Sequence, residues 1–353
     1  MLTVLKSFLK ASLRTFQRAR RARIGLVLAI ALFTLGCSQV YLPAMDTNPW
    51  QTVAVPGEAT LSDIAFTADR NHGWLVGSRS TLLETTDGGQ SWTPRRLELD
   101  NPRYTFTSIS FDGDEGWIAG QPTLLLHTTD GGQSWSSIEL DPKLPGDPFL
   151  VTALGSAKAE LATDIGAIYL TENGGRNWRA LVQGAVGVVR NMNRNEDGRY
   201  IAVSSRGNFY STWDPGQQVW QPHNRENSKR LQNAGFTKDG LLWLIARGGQ
   251  LQFGQPDADY ETWSDPIAPE PATSWGLLDM AYRTADEVWV SGGSGNLLMS
   301  PDGGETWVKD RDVEDVPTNF YRIKFLAPER GFILGERGYL LRYAGRPEAA
   351  ESS

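Results

Sequence analysis

Thr85-Thr86-Asp87-Gly88-Gly89-Gln90-Ser91-Trp92 decides the fold, because the rest of the 353-residue chain keeps returning to it. Clear copies follow at Thr128-Thr129-Asp130-Gly131-Gly132-Gln133-Ser134-Trp135, Thr171-Glu172-Asn173-Gly174-Gly175-Arg176-Asn177-Trp178 and Ser300-Pro301-Asp302-Gly303-Gly304-Glu305-Thr306-Trp307. Two worn copies lie between them, Trp213-Asp214-Pro215-Gly216 leading to Trp220, and Asp257-Ala258-Asp259 leading to Trp263. With Trp50 added, the tryptophans at 50, 92, 135, 178, 220, 263 and 307 stand 42 to 44 residues apart, which counts seven units. A period of this size, with strand-like runs between turns, marks a β-propeller.

The chemistry of the motif agrees. Asp or Asn ahead of Gly-Gly can bond its own backbone two residues on, and glycine takes positive φ without a side-chain clash. The motif is therefore a turn, and the Trp three residues past the second glycine is placed to pack between sheets. A calcium loop would need alternating oxygen ligands and a closing Glu that are missing here.

Upstream of each turn stands a second repeated run, as in Gly73-Trp74-Leu75-Val76-Gly77 and Gly116-Trp117-Ile118-Ala119-Gly120, with β-rich neighbours on either side. Four strands per unit follow, in an all-β, seven-bladed propeller with four-stranded blades spanning residues 50–343. After Leu341-Arg342-Tyr343 no Asp-Gly-Gly turn and no Trp remain, so the run at Trp50-Gln51-Thr52-Val53 is expected to complete the last blade and close the ring.

Residues 1–36 read as a lipoprotein-type signal: seven Lys and Arg, no acidic residue, and an apolar run over 24–35 that ends at Thr34-Leu35-Gly36-Cys37. Cys37, the single cysteine, is expected to carry lipid, with residues up to 49 as a tether and 344–353 as a disordered tail. Loss of the signal takes the net charge from −7 to −14, which does not suit nucleic-acid binding.

Nothing in the sequence calls for a cofactor, and His72, His127 and His223, scattered over different repeats, do not cluster as metal ligands would. Arginines have a pattern instead. Arg79, Arg206, Arg247 and Arg337 fall in the turn between second and third strands, on the face opposite the Asp-Gly-Gly turns. Arg103, Arg190, Arg230 and Arg322 fall at the start of the innermost strand on that same face. A basic docking surface for an acidic or backbone-rich partner follows.

Sialidase-like glycosidases carry the same Asp boxes, but their early Phe-Arg-Ile-Pro is absent, and the nearest string, Tyr321-Arg322-Ile323-Lys324, stands at the other end of the chain. A generic extracytoplasmic scaffold is the other alternative. The chain also resembles the photosystem II stability and assembly factors of cyanobacteria and chloroplasts. The resemblance runs from Asn48-Pro49-Trp50 through residues 73–77 and the Asp boxes to Gly338-Tyr339-Leu340.

That resemblance implies a chaperone rather than an enzyme, lipid-anchored on the lumenal side of the thylakoid membrane and monomeric by itself. It implies binding of newly inserted D1 precursor and help in joining D2 in early reaction-centre complexes. An arginine-rich face is implied with it, for which Arg79, Arg190, Arg206, Arg230, Arg247, Arg322 and Arg337 are the candidates.

Overall fold

In the computed structural model, residues 42–100, 103–225, 228–255, 260–270, 276–314 and 316–345 are described. The expected signal, Cys37, the worn copy at 257–259 and residues 346–353 lie outside the described residues. Seven antiparallel sheets follow one another along the chain, and within each sheet strands pair in sequence order except that the first strand of the chain joins the last sheet. Blades 1 to 4 cover residues 61–94, 105–137, 148–180 and 189–224, blade 5 begins at 231, blade 6 covers 277–309, and blade 7 combines 320–343 with 50–53. Each blade starts at the central channel and ends at the rim.

Ring closure is as the sequence reading expects. Trp50–Val53 lies antiparallel to Leu340–Tyr343 in the register Trp50↔Tyr343 to Val53↔Leu340, so the chain's first strand is the outer strand of its last blade. Residues 42–49, expected as tether, run along the outer edge of blade 6, where Ala44 bridges Lys309 in parallel and Arg311 Nη2 donates to Leu42 O at 3.2 Å. Blade 5 departs from the repeat: among the described residues it has three regular strands, and the fourth position is held by bridges Leu251↔Ile267 and Gly254↔Trp263.

The repeated motif explains why neighbouring blades adhere. Thr128 Oγ1 donates to Asp130 Oδ1 at 2.6 Å and accepts from Gly132 N at 3.0 Å, while Ser134 N and Oγ both donate to the Asp130 carboxylate. The Ser134 hydroxyl and amide, with the Thr128 hydroxyl, hold that carboxyl down at about 2. Inside this knot Gly131 and Gly132 take φ of 72° and 92°.

Gly132 is needed for a second reason. A Cβ there would lie 2.5 Å from the Trp74 ring of blade 1, whose indole N–H donates to Gly131 O at 2.8 Å. Trp135 then meets Trp74 edge-on, with ring centroids 6.0 Å apart. The turns ending at Trp92, Trp135 and Trp178 thus lay a glycine and the Trp on the second-strand aromatic of the preceding blade, while Gly304 faces Phe253 in the third strand of blade 5.

The same contact recurs as Trp178 on Trp117 and as Trp50 on Trp289 at 5.3 Å. Trp92 joins Phe332 in one cluster, and Trp307 joins Trp243 in another. Edge-to-face geometry adds to the burial of large rings.

Two seams are built differently. Between blades 4 and 5 the second-strand position is Ile201, and Trp263 meets Tyr210 of blade 4's third strand edge-on at 5.7 Å. In blade 3 Glu160 holds the second-strand position, and Arg194 Nε and the Tyr200 hydroxyl of blade 4 reach its Oε2 at 2.8 and 3.0 Å. An ion pair with a phenol replaces the indole contact there, and burial with the Glu160 charge raises the Tyr200 hydroxyl well above its usual value.

Trp50 therefore carries ring closure. Trp50→Ala is expected to cost about 3–5 kcal/mol in chemical unfolding; an unchanged midpoint would separate closure from this side chain.

Candidate partner-binding face

The two faces of the ring are set by backbone contacts between turns. Asp-box turns bond to the turn between first and second strands of their own blade, as Gly88 N does to Asn71 O and Gly131 N to Asp114 O, both at 2.9 Å. On the opposite face, turns between second and third strands bond to the start of an innermost strand: Ser78 N to Thr60 O at 2.9 Å, Arg247 N to Arg230 O at 2.8 Å, Gly338 N to Ala59 O at 2.8 Å. Both groups of candidate arginines come to this second face.

They do not form one continuous patch. Arg190, Arg206, Arg230 and Arg247 belong to blades 4 and 5, and Arg79, Arg322 and Arg337 to the adjacent blades 7 and 1. Between these groups the corresponding turns carry Pro122 in blade 2, Asp164 in blade 3 and Ser294 in blade 6. All but Arg322 are exposed. Arg79, Arg206, Arg230 and Arg247 make no side-chain hydrogen bond or ion pair among the described residues.

Arg190 is held: its Nη1 donates to Gln232 Oε1 at 2.6 Å, and its Nε and Nη2 to Ser205 O at 3.3 and 3.1 Å. Arg79 and Arg337 take φ of 58° and 55°. Blade 5 uses Gly248, with φ 83°, in its equivalent turn. A left-handed arginine carries strain of order 1 kcal/mol that a glycine would avoid.

Arg322 stands apart from the others. Its Nη1 lies 3.7 Å from Asp63 Oδ1 and 3.4 Å from Ser62 O, at the mouth of the channel. Lys324 Nζ approaches Asp63 Oδ1 at 2.9 Å and Ile64 O at 2.8 Å. Burial works against ionisation of Asp63, but Arg322 and Lys324 outweigh it and hold its carboxyl below the usual range. The Tyr321-Arg322-Ile323-Lys324 string weighed as a glycosidase remnant is thus part of blade 7's innermost strand, with both cations turned to Asp63.

Other inner-strand side chains bond to the next blade round the channel. Asp63 Oδ2 accepts from Ile109 N at 3.0 Å, Asp279 Oδ2 from Ile323 N at 2.9 Å, and Asn193 Nδ2 donates to Ala234 O at 2.6 Å. A cavity of about 350 Å³ bounded by Ser62, Thr107, Asn191, Tyr321 and Arg322 opens on the arginine face. A second, of about 450 Å³, is bounded by Asn195, Asp197, Lys238, Tyr282 and Phe325, toward the Asp-box face. Asp279 borders both.

Sequence reasoning missed two features of this region. The Glu160–Arg194 pair looks like ordinary surface charge until the register aligns Glu160 with Trp74. The exposed apolar Val188 had only its Gly-Ala-Val-Gly-Val setting as a signal.

Fold and face together define an Asp-box β-propeller that carries exposed arginines opposite its repeated turns. Residues 42–344 match the family described as photosynthesis system II assembly factor YCF48, and the chain belongs to that family. It is similar to the photosystem II assembly lipoprotein Ycf48 of Synechocystis, with 66% identity over 328 residues that cover 93% of this chain and 95% of the relative. Among solved structures it is similar to YCF48 bound to D1 peptide, at TM-score 0.84 and 56% identity, covering 87% of this chain and all of that one. YCF48 from Cyanidioschyzon merolae is similar at TM-score 0.78 and 42% identity, covering 83% and 98%.

Asp279 gives the channel a pH signature. Burial pushes its carboxyl up to about 6, against the pull of the Ile323 amide and Arg322. With the folded value above the unfolded one, the folded state holds the proton more tightly between those values, and stability rises as pH falls through 6. Asp87, held at about 2, acts the other way: its contribution is present above the ordinary carboxylate value and is lost as pH falls toward 2. Wild type should therefore gain on Asp279→Asn in unfolding experiments between pH 7 and pH 5; an unchanged difference would remove Asp279 as the cause.

Proposed function

We propose that this chain is a non-enzymatic assembly factor for photosystem II, working in biogenesis and repair. It binds newly inserted D1 precursor through the arginine-bearing face and promotes its joining to D2 in early reaction-centre complexes. Lipid on Cys37 keeps a single copy of the propeller at the lumenal surface of the thylakoid membrane. The observation that carries this reading is the solved YCF48 with D1 peptide, 56% identical to this chain and covered by it along its whole length.

The relative's designation as a lipoprotein supports the anchor at Cys37, where a signal core meets the single cysteine. One lipidated residue gives membrane contact without orientation, so a second contact through the partner would complete the attachment. Exposed guanidinium groups suit carboxylates and backbone carbonyls of a protein partner, and their attraction is screened by salt. Exposed arginines on this face of an acidic protein can steer such a partner toward it.

Capture of complexes from thylakoid membranes on the full chain tests this. Wild type should recover D1 precursor and early reaction-centre complexes at low salt and less at moderate salt, and Arg206→Glu with Arg247→Glu should lower recovery about tenfold or more with an unchanged unfolding midpoint. Equal recovery by wild type and variant would take the site off this face.

A further inference from the structure

The loop between blades 3 and 4 presents an aliphatic side chain to solvent and holds it there. Residues 184–188 read Gly-Ala-Val-Gly-Val, and Val188 is 59% exposed. Gly187 N donates to Ile165 O at 3.1 Å, Val189 N donates to Asp164 O at 2.9 Å, and Val188 O accepts from Ser205 N at 2.9 Å. Val186 packs over Gly166, where an added Cβ would meet its Cγ1 at 2.5 Å, and Val189 is buried. With backbone pinned on both sides and its neighbours turned in, Val188 cannot fold its side chain away.

A single exposed valine needs no explanation by itself. Its setting does. Ser205, which bonds the Val188 carbonyl, precedes Arg206, and its own carbonyl accepts from Arg190. Arg190 in turn reaches Gln232, two residues beyond Arg230, and the Arg230 carbonyl accepts from Arg247 N. One continuous set of contacts therefore links an enforced apolar point to four exposed arginines, three of them without a side-chain partner among the described residues.

We infer that Val188 and the arginines of blades 4 and 5 form one composite subsite for an extended acidic peptide segment. An aliphatic side chain of the partner covers Val188 while flanking carboxylates take the guanidinium groups. This rests on the reading of the arginine face as the partner-binding surface, and it assigns the selective contact to one lobe of that face. Charge complementarity brings in acidic segments in general, and desolvation of the valine distinguishes among them. An anionic lipid surface would answer to the same charges, but one valine is a small anchor beside the apolar area that interfacial binding uses.

The test uses the full chain and two fluorescein-labelled decapeptides, one with Leu between pairs of Glu and one with Ser in its place, read by anisotropy. Wild type should prefer the Leu peptide about tenfold. Val188→Ser should reduce that preference to about twofold or less, with unchanged binding of the Ser peptide and an unchanged unfolding midpoint. Arg79→Glu with Arg337→Glu, in the other lobe, should keep the preference.

Equal binding of both peptides by wild type, a preference that survives in Val188→Ser, or sedimentation with vesicles containing one-third anionic phospholipid in place of peptide binding would each overturn the inference. If wild type still captures D1 from membranes in those cases, the wider reading of the face stands and only this subsite falls. No capture of D1 by wild type would sink both.

Discussion

The structure depends on one kind of contact repeated round most of the ring: the outer Trp of one blade, with its Gly-Gly turn where it has one, laid against an aromatic of the blade before it. Gly132 on Trp74 and Trp135 edge-on to the same ring show its two halves. Blades cannot bury their faces alone, so this contact converts seven small sheets into one core. It also makes closure indispensable, because an open ring would expose Trp289 and the edge of blade 7. Trp50 meets Trp289 at 5.3 Å and brings the missing strand with it.

The channel side obeys a different rule. Innermost strands have no sheet partner toward the axis, and their free backbone groups must be satisfied by side chains. Asp63, Asn193 and Asp279 do this for the next blade in turn. Burying carboxylates for the purpose has a cost that Lys324 and Arg322 offset at Asp63 and that shows at Asp279 as a raised value. Polar channel and interblade seams together leave the side chains of the outer turns, whose backbones tie neighbouring segments, largely free.

That freedom is what a binding face draws on. The turns between second and third strands need only positive φ and a short connection, and blades 1 and 7 fill them with left-handed Arg79 and Arg337 where blade 5 has glycine. Strain kept where glycine would relieve it is consistent with the docking role proposed for this face. Arg322, by contrast, is drawn into the channel by Asp63, so a candidate chosen by position alone turns out to serve the ring as well.

Fold and closure were legible because they rest on local chemistry repeated at a fixed period: Asp-Gly-Gly makes the same turn wherever it stands, and a Trp at constant spacing must meet the same kind of surface. The faces were legible too, since strand direction alternates and equivalent turns emerge on the same side. What side chains meet across blades was not, because partners such as Glu160 and Arg194, or Asp63 and Lys324, lie 34 and 261 residues apart. Division of the arginines into two lobes, the docking of residues 42–49 on blade 6 and the enforced exposure of Val188 likewise arise only when the ring closes. The sequence by itself determined the turns, the period and the count of blades; tertiary structure alone decided which charges face one another, because closure and register bring distant side chains within contact distance.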